Sequence, residues 1–315
     1  MTGASGFVGS FLIPELLHQS YLVKLLLRKS SPQVHFQCKK FRMNNFNDCS
    51  LEEIFQNIDV VIHLAAKVHI MKDIEKDPLV EYRKINVELT EKLARQAASS
   101  GVKRFIFVSS IKVNGEFTEA NSKFSPDDKP NPQDPYGVSK MEAEFSLLKL
   151  AKETDMEVVI IRPPLIYGPG VKANFLSMMK WLYKKLPLPL ANIKNKRSLV
   201  FIHNLVSLIS VSISHPNAAG QIFLVSDDHD VSTSALLKLM SSFLGKKIKL
   251  FSLPVYALKG LFFLTGKKEL SLRLLSSLSL DITKTKQLLG WSPPYSFEEA
   301  IKATAADFLS KKIVN

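Results

Sequence analysis

The sequence predicts an α/β fold built on a doubly wound parallel sheet, with a smaller lobe toward the carboxyl terminus. Strand-like and helix-like segments alternate through the first half of the chain. Repeated βα units imply parallel strands with helices on both faces. The segments at 60–62 and 105–108 are continuously apolar, as expected for strands that are buried on both sides of the sheet.

The individual elements follow from the spacing of apolar residues. Leu79, Tyr82, Leu89 and Leu93 recur with the period of a helix, whereas the strands are short apolar runs between polar breaks. The expected helices are 7–17, 79–98 and 135–154, and the expected strands are 21–27, 59–63, 104–108 and 157–162.

A glycine-rich turn stands before the first helix. Gly3, Gly6 and Gly9 have the spacing of a dinucleotide-binding turn. The first glycine permits a tight turn, the second lets backbone approach a pyrophosphate, and the third allows close packing of the helix. The sequence therefore predicts a Rossmann-type cofactor site formed by Gly3, Ser5, Gly6, Phe7, Val8 and Gly9.

Two further segments are expected to contact the cofactor. A basic residue at the end of the second strand accommodates the 2′-phosphate of NADP, whereas an acidic one favours NAD. Arg28 stands there, so we expect NADP, with NAD as the alternative. After the third strand, Leu64, Ala65 and Ala66 would let the cofactor lie close, and His63 is expected to be packed rather than catalytic.

The first strand of such a sheet is missing from the sequence, because only Met1 and Thr2 precede Gly3. That strand lies in the middle of the sheet, and its loss leaves unpaired backbone groups, which are costly when buried. We hypothesise that the start is misassigned or that the gene is truncated. Mass spectrometry of the native protein tests this, since an N-terminus at Met1 would refute a misassigned start.

Three residues predict proton-transfer chemistry. Tyr136 and Lys140 are four positions apart, which places them on one face of a helix. We expect the lysine cation to lower the pKa of the phenol, so that Tyr136 acts as an acid or base near neutral pH. Ser110 ends a strand, at the edge where parallel sheets bind ligands, and can bond the same substrate oxygen.

The chain divides near Pro163 and Pro164, after which Pro and Gly become frequent and helices less regular. We expect a dinucleotide-binding domain at 1–164, with segments near 198–226 returning to it, and a mainly substrate-binding lobe at 165–315. The strand-like runs at 199–202 and 221–225 are the expected returns to the main sheet, and Ser232 or Thr233 is expected to cap the helix that follows.

Composition is that of a globular enzyme, with 46% hydrophobic and 23% charged residues. Cys38 and Cys49 show neither metal nor disulfide spacing, so we expect no metal and a cytoplasmic location. The net charge of +13 is expected to be dispersed, apart from Lys180, Lys184, Lys185, Lys194, Lys196 and Arg197. We expect no nucleic-acid partner, because no such motif is present.

The most apolar stretch of the sequence, at 250–264, is the segment to consider for membrane contact. Pro254, Lys259 and Gly260 interrupt it, and it is shorter than the ~20 residues that span a bilayer. We expect a buried or interfacial helix here and no membrane span. The positive charge still allows peripheral attraction to an acidic membrane surface.

These motifs together resemble the extended short-chain dehydrogenase/reductases, specifically the NAD-dependent epimerase/dehydratase group that acts on nucleotide sugars. The resemblance covers nearly the whole chain. It is carried by 2–9, 63–66, Asn86, Ser110, Tyr136 with Lys140, 162–164, 167–170 and the tail at 288–291.

The resemblance implies roles for particular residues. It implies that Ser110, Tyr136 and Lys140 are catalytic and that Asn86 and Pro163 contact the cofactor. It also implies that Asn174 and Arg197 bind the diphosphate of a UDP-sugar. The resemblance offers Arg273 as a further candidate phosphate ligand, although its spacing to Asp281 departs from the pattern. A homodimer through helices that include the Tyr136 helix is implied as well.

Departures from the pattern narrow the reaction. Ile111 and Lys112 stand where sugar dehydratases carry an Asp-Glu pair, so elimination would lack its acid and base. The runs at 109–115 and 174–176 look most like a bacterial subgroup described as UDP-glucose 4-epimerase-like or as UDP-N-acetylquinovosamine dehydrogenases, which serve polysaccharide synthesis.

We therefore expect hydride transfer at C4 of a UDP-hexose or UDP-N-acetylhexosamine. The main prediction is reduction of a 4-keto sugar. The expected NADP preference favours a reductase, since a reductase exchanges its cofactor at each turnover. The first alternative is a UDP-glucose or UDP-N-acetylglucosamine 4-epimerase, and the second is a non-catalytic dinucleotide-binding protein. A steroid- or flavonoid-type reductase is a smaller alternative.

Overall fold

The computed structural model describes residues 1–28, 36–43, 52–68, 77–119, 121–266 and 268–313. The helices in these parts are α1 (Phe7–His18), α2 (Glu52–Phe55), α3 (Pro78–Arg83), α4 (Leu89–Ser99), α5 (Pro135–Glu153), α6 (Ala173–Tyr183), α7 (Ile202–Ser214), α8 (Thr233–Phe243), α9 (Val255–Leu264), α10 (Lys268–Leu275), α11 (Thr283–Leu289) and α12 (Phe297–Ile313). The strands are β1 (Lys24–Arg28), β2 (Lys39–Met43), β3 (Val60–His63), β4 (Arg104–Val108), β5 (Glu157–Arg162), β6 (Leu165–Tyr167), β7 (Arg197–Phe201), β8 (Ile222–Leu224) and β9 (Asp230–Val231).

The main sheet is parallel throughout, as the sequence predicts. β3, β4, β5 and β8 pair in that order, and β1 pairs with β2. The predicted strands at 104–108 and 157–162 are confirmed at both ends. Because all these strands run in one direction, their carboxyl ends bring His63, Val108 and Arg162 to one edge of the sheet.

Side chains of the central strands alternate between two cores. Phe105 and Phe107 of β4 pack in the core formed with α4 and α5, whereas Ile106 between them packs in the core that includes α1 and α7. Successive residues of a strand point to opposite faces. This alternation explains the continuous apolar runs, since both faces are covered by helices.

A single residue joins the two parts of the main sheet. Thr2 forms parallel bridges to both Leu26 and His63. Its N–H donates to Ile62 O at 3.0 Å, and the N–H of Leu26 donates to Met1 O at 2.9 Å. The central strand position predicted to lack its strand is thus held by two residues, and an apolar slot remains beside them.

The return of the chain from the smaller lobe differs from the prediction at one strand. β8 joins the main sheet beside β5, as expected. β7 does not: it pairs in parallel with β6 and antiparallel with β9 in a separate three-stranded sheet. β6 follows β5 after only two residues. Because β7 pairs with β6, it does not pair with a strand of the main sheet. The predicted cap is confirmed, since Ser232 Oγ accepts a bond from the N–H of Ala235.

Candidate active site

The glycine turn is packed so tightly that it excludes larger residues. Gly3 has φ of +72°, and a Cβ there would lie 2.8 Å from backbone atoms of Leu64 and Ala65. A Cβ on Gly9 would lie 2.4 Å from Gly3 O. The turn therefore lies directly against the loop after β3, and the two segments predicted to contact a cofactor meet.

The N-terminus of α1 suits a bound phosphate group. Gly6 caps the helix without a side-chain hydrogen bond, and the first turn has no acidic residue. The first N–H groups of a helix have no partner within the helix and attract anions. Ser5 is exposed beside them, and Phe7 and Val8 begin the helix. These residues fit the pyrophosphate of a dinucleotide.

Asn86 connects the cofactor loop to the helix of Tyr136. It is 1% exposed and lies in a π-helical segment, Lys84–Glu88. Its side chain accepts a bond from the N–H of Lys67 at 2.8 Å and donates to Lys67 O at 3.1 Å. It also donates to Ser139 Oγ at 3.0 Å. Asn86 thus fixes the loop after β3 relative to α5.

Ser110 and Tyr136 meet at the carboxyl edge of the sheet. Ser110 lies just beyond β4 at the start of a 3₁₀ turn, near enough to Tyr136 for its hydroxyl to lower the pKa of the phenol. Tyr136 is half-buried in the first turn of α5, with its ring edge-on to Tyr82 at 6.0 Å between centroids. Ile111 N–H donates to Pro163 O at 3.0 Å, which ties the Ser110 turn to the end of β5. The structure thus brings the predicted serine and tyrosine together.

Lys140 is buried beneath this pair. Its side chain is 1% exposed, its Nζ donates to Val108 O at 2.8 Å, and it lies 4.1 Å from the centroid of the Phe107 ring. Burial lowers the pKa of Lys140 to about 7, against a smaller opposing effect of Glu144. Near neutral pH the amine is therefore close to half-protonated.

The expected lowering of the Tyr136 pKa is not what the structure shows. Burial raises the pKa of Tyr136 above its ordinary value, and the nearby Asp134 carboxylate raises it further, while the neighbouring Ser110 hydroxyl lowers it. The lysine directs its hydrogen bond to Val108 O instead of to the phenol. In this arrangement Tyr136 is a proton donor rather than a ready phenolate.

Sequence reasoning missed the residues that anchor the start of α5. Asp134 caps the helix by accepting a bond from the N–H of Gly137 at 2.6 Å, and Pro135 occupies the first helical position. Lys112 forms ion pairs with both Asp134 and Glu116. The Asp-Pro pair before Tyr136 is the signal that predicts this cap. Lys112 is thus engaged in holding the Tyr136 helix.

The predicted phosphate ligands are brought together only in part. Arg197 donates to Ser276 O at 3.1 Å, and burial together with the nearby Arg273 cation lowers its pKa to about 10. Arg273 lies on α10, where it pairs with Glu269 at 3.1 Å. Two guanidinium groups therefore face one region. Asn174 is exposed in the first turn of α6, and among the described residues no hydrogen bond connects it with either arginine.

Metal chemistry finds no support among the residues that the structure describes. No group of three or more His, Cys, Asp and Glu side chains in those ranges is placed to hold a metal ion. No helix within the same ranges is long and apolar enough to cross a membrane. Cys49 lies outside the described residues.

The fold and the site define the class of nucleotide-cofactor enzymes in which a tyrosine, a serine and a lysine meet at the carboxyl edge of a Rossmann-type sheet. Residues 1–226 match the sequence model of the NAD dependent epimerase/dehydratase family. The chain belongs to this family and is an enzyme.

Relatives within the family extend over nearly the whole chain. A UDP-glucose 4-epimerase of Vibrio cholerae is 46% identical over 312 residues, covering 98% of this chain and 94% of that protein. An N-acetyl-α-D-glucosaminyl-diphospho-ditrans,octacis-undecaprenol 4-epimerase of Escherichia coli O157:H7 is 27% identical and covers 96% and 93%. The solved UDP-glucuronic acid 4-epimerase of Bacillus cereus, in complex with NAD, has the same fold, with a TM-score of 0.78 at 22% identity and coverage of 98% and 97%.

Proposed function

We propose that this enzyme is a UDP-sugar 4-epimerase that keeps a nicotinamide dinucleotide bound through its catalytic cycle. The observation that carries the proposal is the convergence of Ser110, Tyr136 and Lys140 at the carboxyl edge of the sheet. The relatives favour this reading over 4-keto reduction, because both curated relatives described above are named as 4-epimerases. The alternative prediction, a 4-epimerase, is thus better supported than the main prediction of a 4-keto reductase.

In the proposed 4-epimerisation, Tyr136, Ser110 and Lys140 each have a separate role. A nicotinamide dinucleotide held in this site would supply the hydride chemistry needed at C4 of the sugar. Tyr136 exchanges the proton of the C4 oxygen, and Ser110 holds that oxygen by hydrogen bonding. Lys140, buried beneath them, places a partial positive charge near the cofactor site. The α1 N-terminus and the glycine turn hold the pyrophosphate.

Arg197 and Arg273 are proposed to bind the substrate diphosphate. Burial is the main cause of the lowered Arg197 pKa, and repulsion by Arg273 adds to it; an anion bound by both guanidinium groups would relieve this repulsion. Binding energy gained at the diphosphate then orients the sugar ring at Tyr136. Asn174, exposed at the start of α6, is proposed as a third contact on the substrate rather than on the arginines.

The test is the conversion of UDP-glucose or UDP-N-acetylglucosamine to its galacto form without added cofactor. We expect conversion, and we expect the denatured enzyme to release a nicotinamide dinucleotide that chromatography identifies. Tyr136→Phe should slow conversion by about 100-fold or more, since general acid–base catalysis contributes about that much. A matched control is Tyr21→Phe, in the connection between α1 and β1.

Two results would contradict the proposal. One is strict consumption of NADPH with a 4-keto sugar and no interconversion, which identifies a reductase. The other is full activity of Tyr136→Phe, which removes the catalytic assignment. Absence of any dinucleotide binding in a thermal-shift series would instead support the non-catalytic alternative, because a ligand that binds only the native state raises its apparent stability.

A second candidate is 4-epimerisation of a sugar carried on a polyprenol diphosphate, as the name of the Escherichia coli relative describes for that protein. The observation that favours it is the exposed apolar helix α9, which precedes α10 and Arg273 in the chain and packs against α10. Both substrates share the diphosphate, so Arg197 and Arg273 serve either. Parallel assays with a UDP-sugar and a polyprenol-diphosphate sugar distinguish the two.

A further inference from the structure

The positive charge of this chain is concentrated in two segments: the cluster at 180–197 that the sequence analysis already set apart, and a second segment at 238–275. Residues 180–197 and 238–275 hold 14 of the 42 Lys and Arg residues but only one of the 29 Asp and Glu residues. Their balance of +13 equals the net charge of the whole chain. The remainder of the chain is therefore electrically neutral, and we call these two segments the basic lobe.

The two segments of the basic lobe are one structural unit. The N–H of Leu188 donates to Lys249 O at 3.0 Å, and the N–H of Phe251 donates back to Leu188 O at 3.1 Å. The Lys246 ammonium lies 4.6 Å from the centroid of the Tyr183 ring. Lysines from both segments are exposed, among them Lys184, Lys185, Lys247 and Lys249. Their fields therefore add on one part of the surface.

The same lobe exposes an apolar helix. Leu258 is the one buried residue of α9, whereas Tyr256 is 79%, Leu261 51% and Leu264 83% exposed. The expectation of a buried helix at 250–264 is therefore wrong, and the interfacial alternative is what the structure supports. Exposed apolar surface of this kind is typical of a site that contacts another protein or a membrane.

We propose that the basic lobe docks on an acidic membrane surface, with α9 lying in the plane of the interface. Lysines would meet anionic headgroups while Tyr256, Leu261 and Leu264 enter the headgroup boundary, which is the binding mode of amphipathic interfacial helices. With ten residues, α9 lies on a bilayer and does not span it.

The chemistry of this surface favours a membrane over a nucleic acid or a second copy of the chain. A nucleic acid would use the lysines but leave the leucines of α9 in water. A second copy of the chain docked on the same face would bring two lobes of +13 together, which repel one another. An acidic bilayer satisfies both the charge and the apolar side chains.

The experiment is co-sedimentation of the full chain with vesicles of phosphatidylcholine, with and without phosphatidylglycerol. We expect binding to the acidic vesicles alone. We also expect release as salt rises from about 0.1 to about 1 M, because the screening length falls from about 10 to about 3 Å. Neither result depends on the proposed epimerase activity.

Two variants separate charge from apolar insertion. Lys247→Gln/Lys249→Gln should weaken binding about twentyfold, since each lysine near an acidic surface contributes about fivefold. Leu261→Ser/Leu264→Ser should weaken it by about tenfold or more. The matched controls are Lys149→Gln/Lys302→Gln and Leu22→Ser, exposed residues outside the lobe, and they should bind as the parent does.

Several outcomes would overturn the proposal. Binding to neutral vesicles as strong as to acidic ones, or equal losses in the control variants, removes the role of the basic lobe. Failure to sediment with vesicles together with tight, salt-dependent binding of homopolymer RNA assigns the surface to nucleic acid. A fall in molar mass of Leu261→Ser/Leu264→Ser by light scattering assigns it to a second copy. Circular dichroism checks that each variant is folded.

Discussion

His63 is held as a neutral side chain by a chain of hydrogen bonds. Thr90 Oγ1 donates to Asn86 O at 2.8 Å, so it accepts from His63 Nε2 at 3.0 Å. His63 Nδ1 then accepts from Thr2 Oγ1 at 2.7 Å, and the Thr2 oxygen accepts from the N–H of Ala65. This pattern assigns the proton to Nε2. Packing rather than catalysis is the role expected from the sequence.

The burial of His63 predicts acid lability. Burial, with smaller effects from Lys140 and the N-terminus, lowers its pKa from 6.5 to about 3. Between these values the unfolded chain binds one more proton than the folded chain. Stability therefore falls as pH drops from about 6.5 toward 3, by up to about 1.4 kcal/mol per pH unit. Urea unfolding at several pH values measures this slope.

The matched variant is His63→Asn, which cannot take up the proton. Its free energy of unfolding should change less with pH below 6.5 than that of the parent, even though it is less stable near neutral pH. Some slope remains above about pH 5, because burial also lowers the pKa of the Met1 ammonium to about 5. Identical slopes in parent and variant would show that His63 does not control acid lability.

Arg28 predicts the cofactor preference at a single position. It is exposed at the carboxyl end of β1, where a basic side chain favours NADP, whereas the family description names NAD. Arg28→Asp should weaken NADP binding relative to NAD by about tenfold or more, because an acid there repels the 2′-phosphate. Calorimetric titration of both dinucleotides measures it. Lys40→Asp on β2 is the control, and an equal change for both cofactors would contradict the assignment.

At the scale of elements, the π-helical segment between α3 and α4 positions the active site. One extra residue in a helical turn rotates the side chains that follow, and such insertions are frequent at functional sites. Here the segment directs Asn86 toward Lys67 and Ser139. Ser139 in turn donates to Tyr136 O, so the segment links the cofactor loop to the catalytic helix.

Loss of the Asn86 side chain should affect folding and cofactor binding together. Asn86→Ala leaves buried backbone groups of Lys67 without partners, at a cost of about 2–4 kcal/mol. Denaturant unfolding measures the loss, and titration should show weaker dinucleotide binding with a smaller effect on the sugar. Asn217→Ala removes one hydrogen bond from an exposed asparagine and is the control. Unchanged cofactor affinity in Asn86→Ala would refute the linking role.

At the scale of the whole molecule, the main sheet is interrupted at its centre. A narrow slot lies beside Met1 and Thr2, and apolar side chains from β1, β3, α2 and α4 line it. Leu26 and Val61 face it from the two strands. Within the described residues, Thr2 forms bridges to both Leu26 and His63, and Met1 adds hydrogen bonds to β1 alone.

The slot predicts that an added strand stabilises the protein. A variant with about five apolar β-branched residues fused ahead of Met1 should melt higher by roughly 2–5 °C or more, because it pairs both strands and fills the slot. A glycine-serine extension of the same length is the control. Equal melting temperatures for the two extensions would show that the slot does not accept a strand.

The expected homodimer stays a prediction. Phe145 is 53% exposed on α5, the helix through which the resemblance implies assembly.

The sequence by itself determined the features that depend on near neighbours. Glycine spacing defines the turn before α1, apolar runs define β4 and β5, and a four-residue interval brings Tyr136 and Lys140 to one face of α5. These predictions succeed because bond geometry fixes the relative positions of residues a few places apart.

Only the tertiary structure decided what depends on distant partners. The pairing of β7 with β6, the bond from Lys140 to Val108, the raised pKa of Tyr136 and the assembly of the basic lobe all join residues far apart in the chain. Desolvation and charge act through space, and folding sets which groups are buried together. For that reason the sequence predicted the candidate catalytic residues, while the pKa shifts of Tyr136 and Lys140 and the assembly of the basic lobe required the fold.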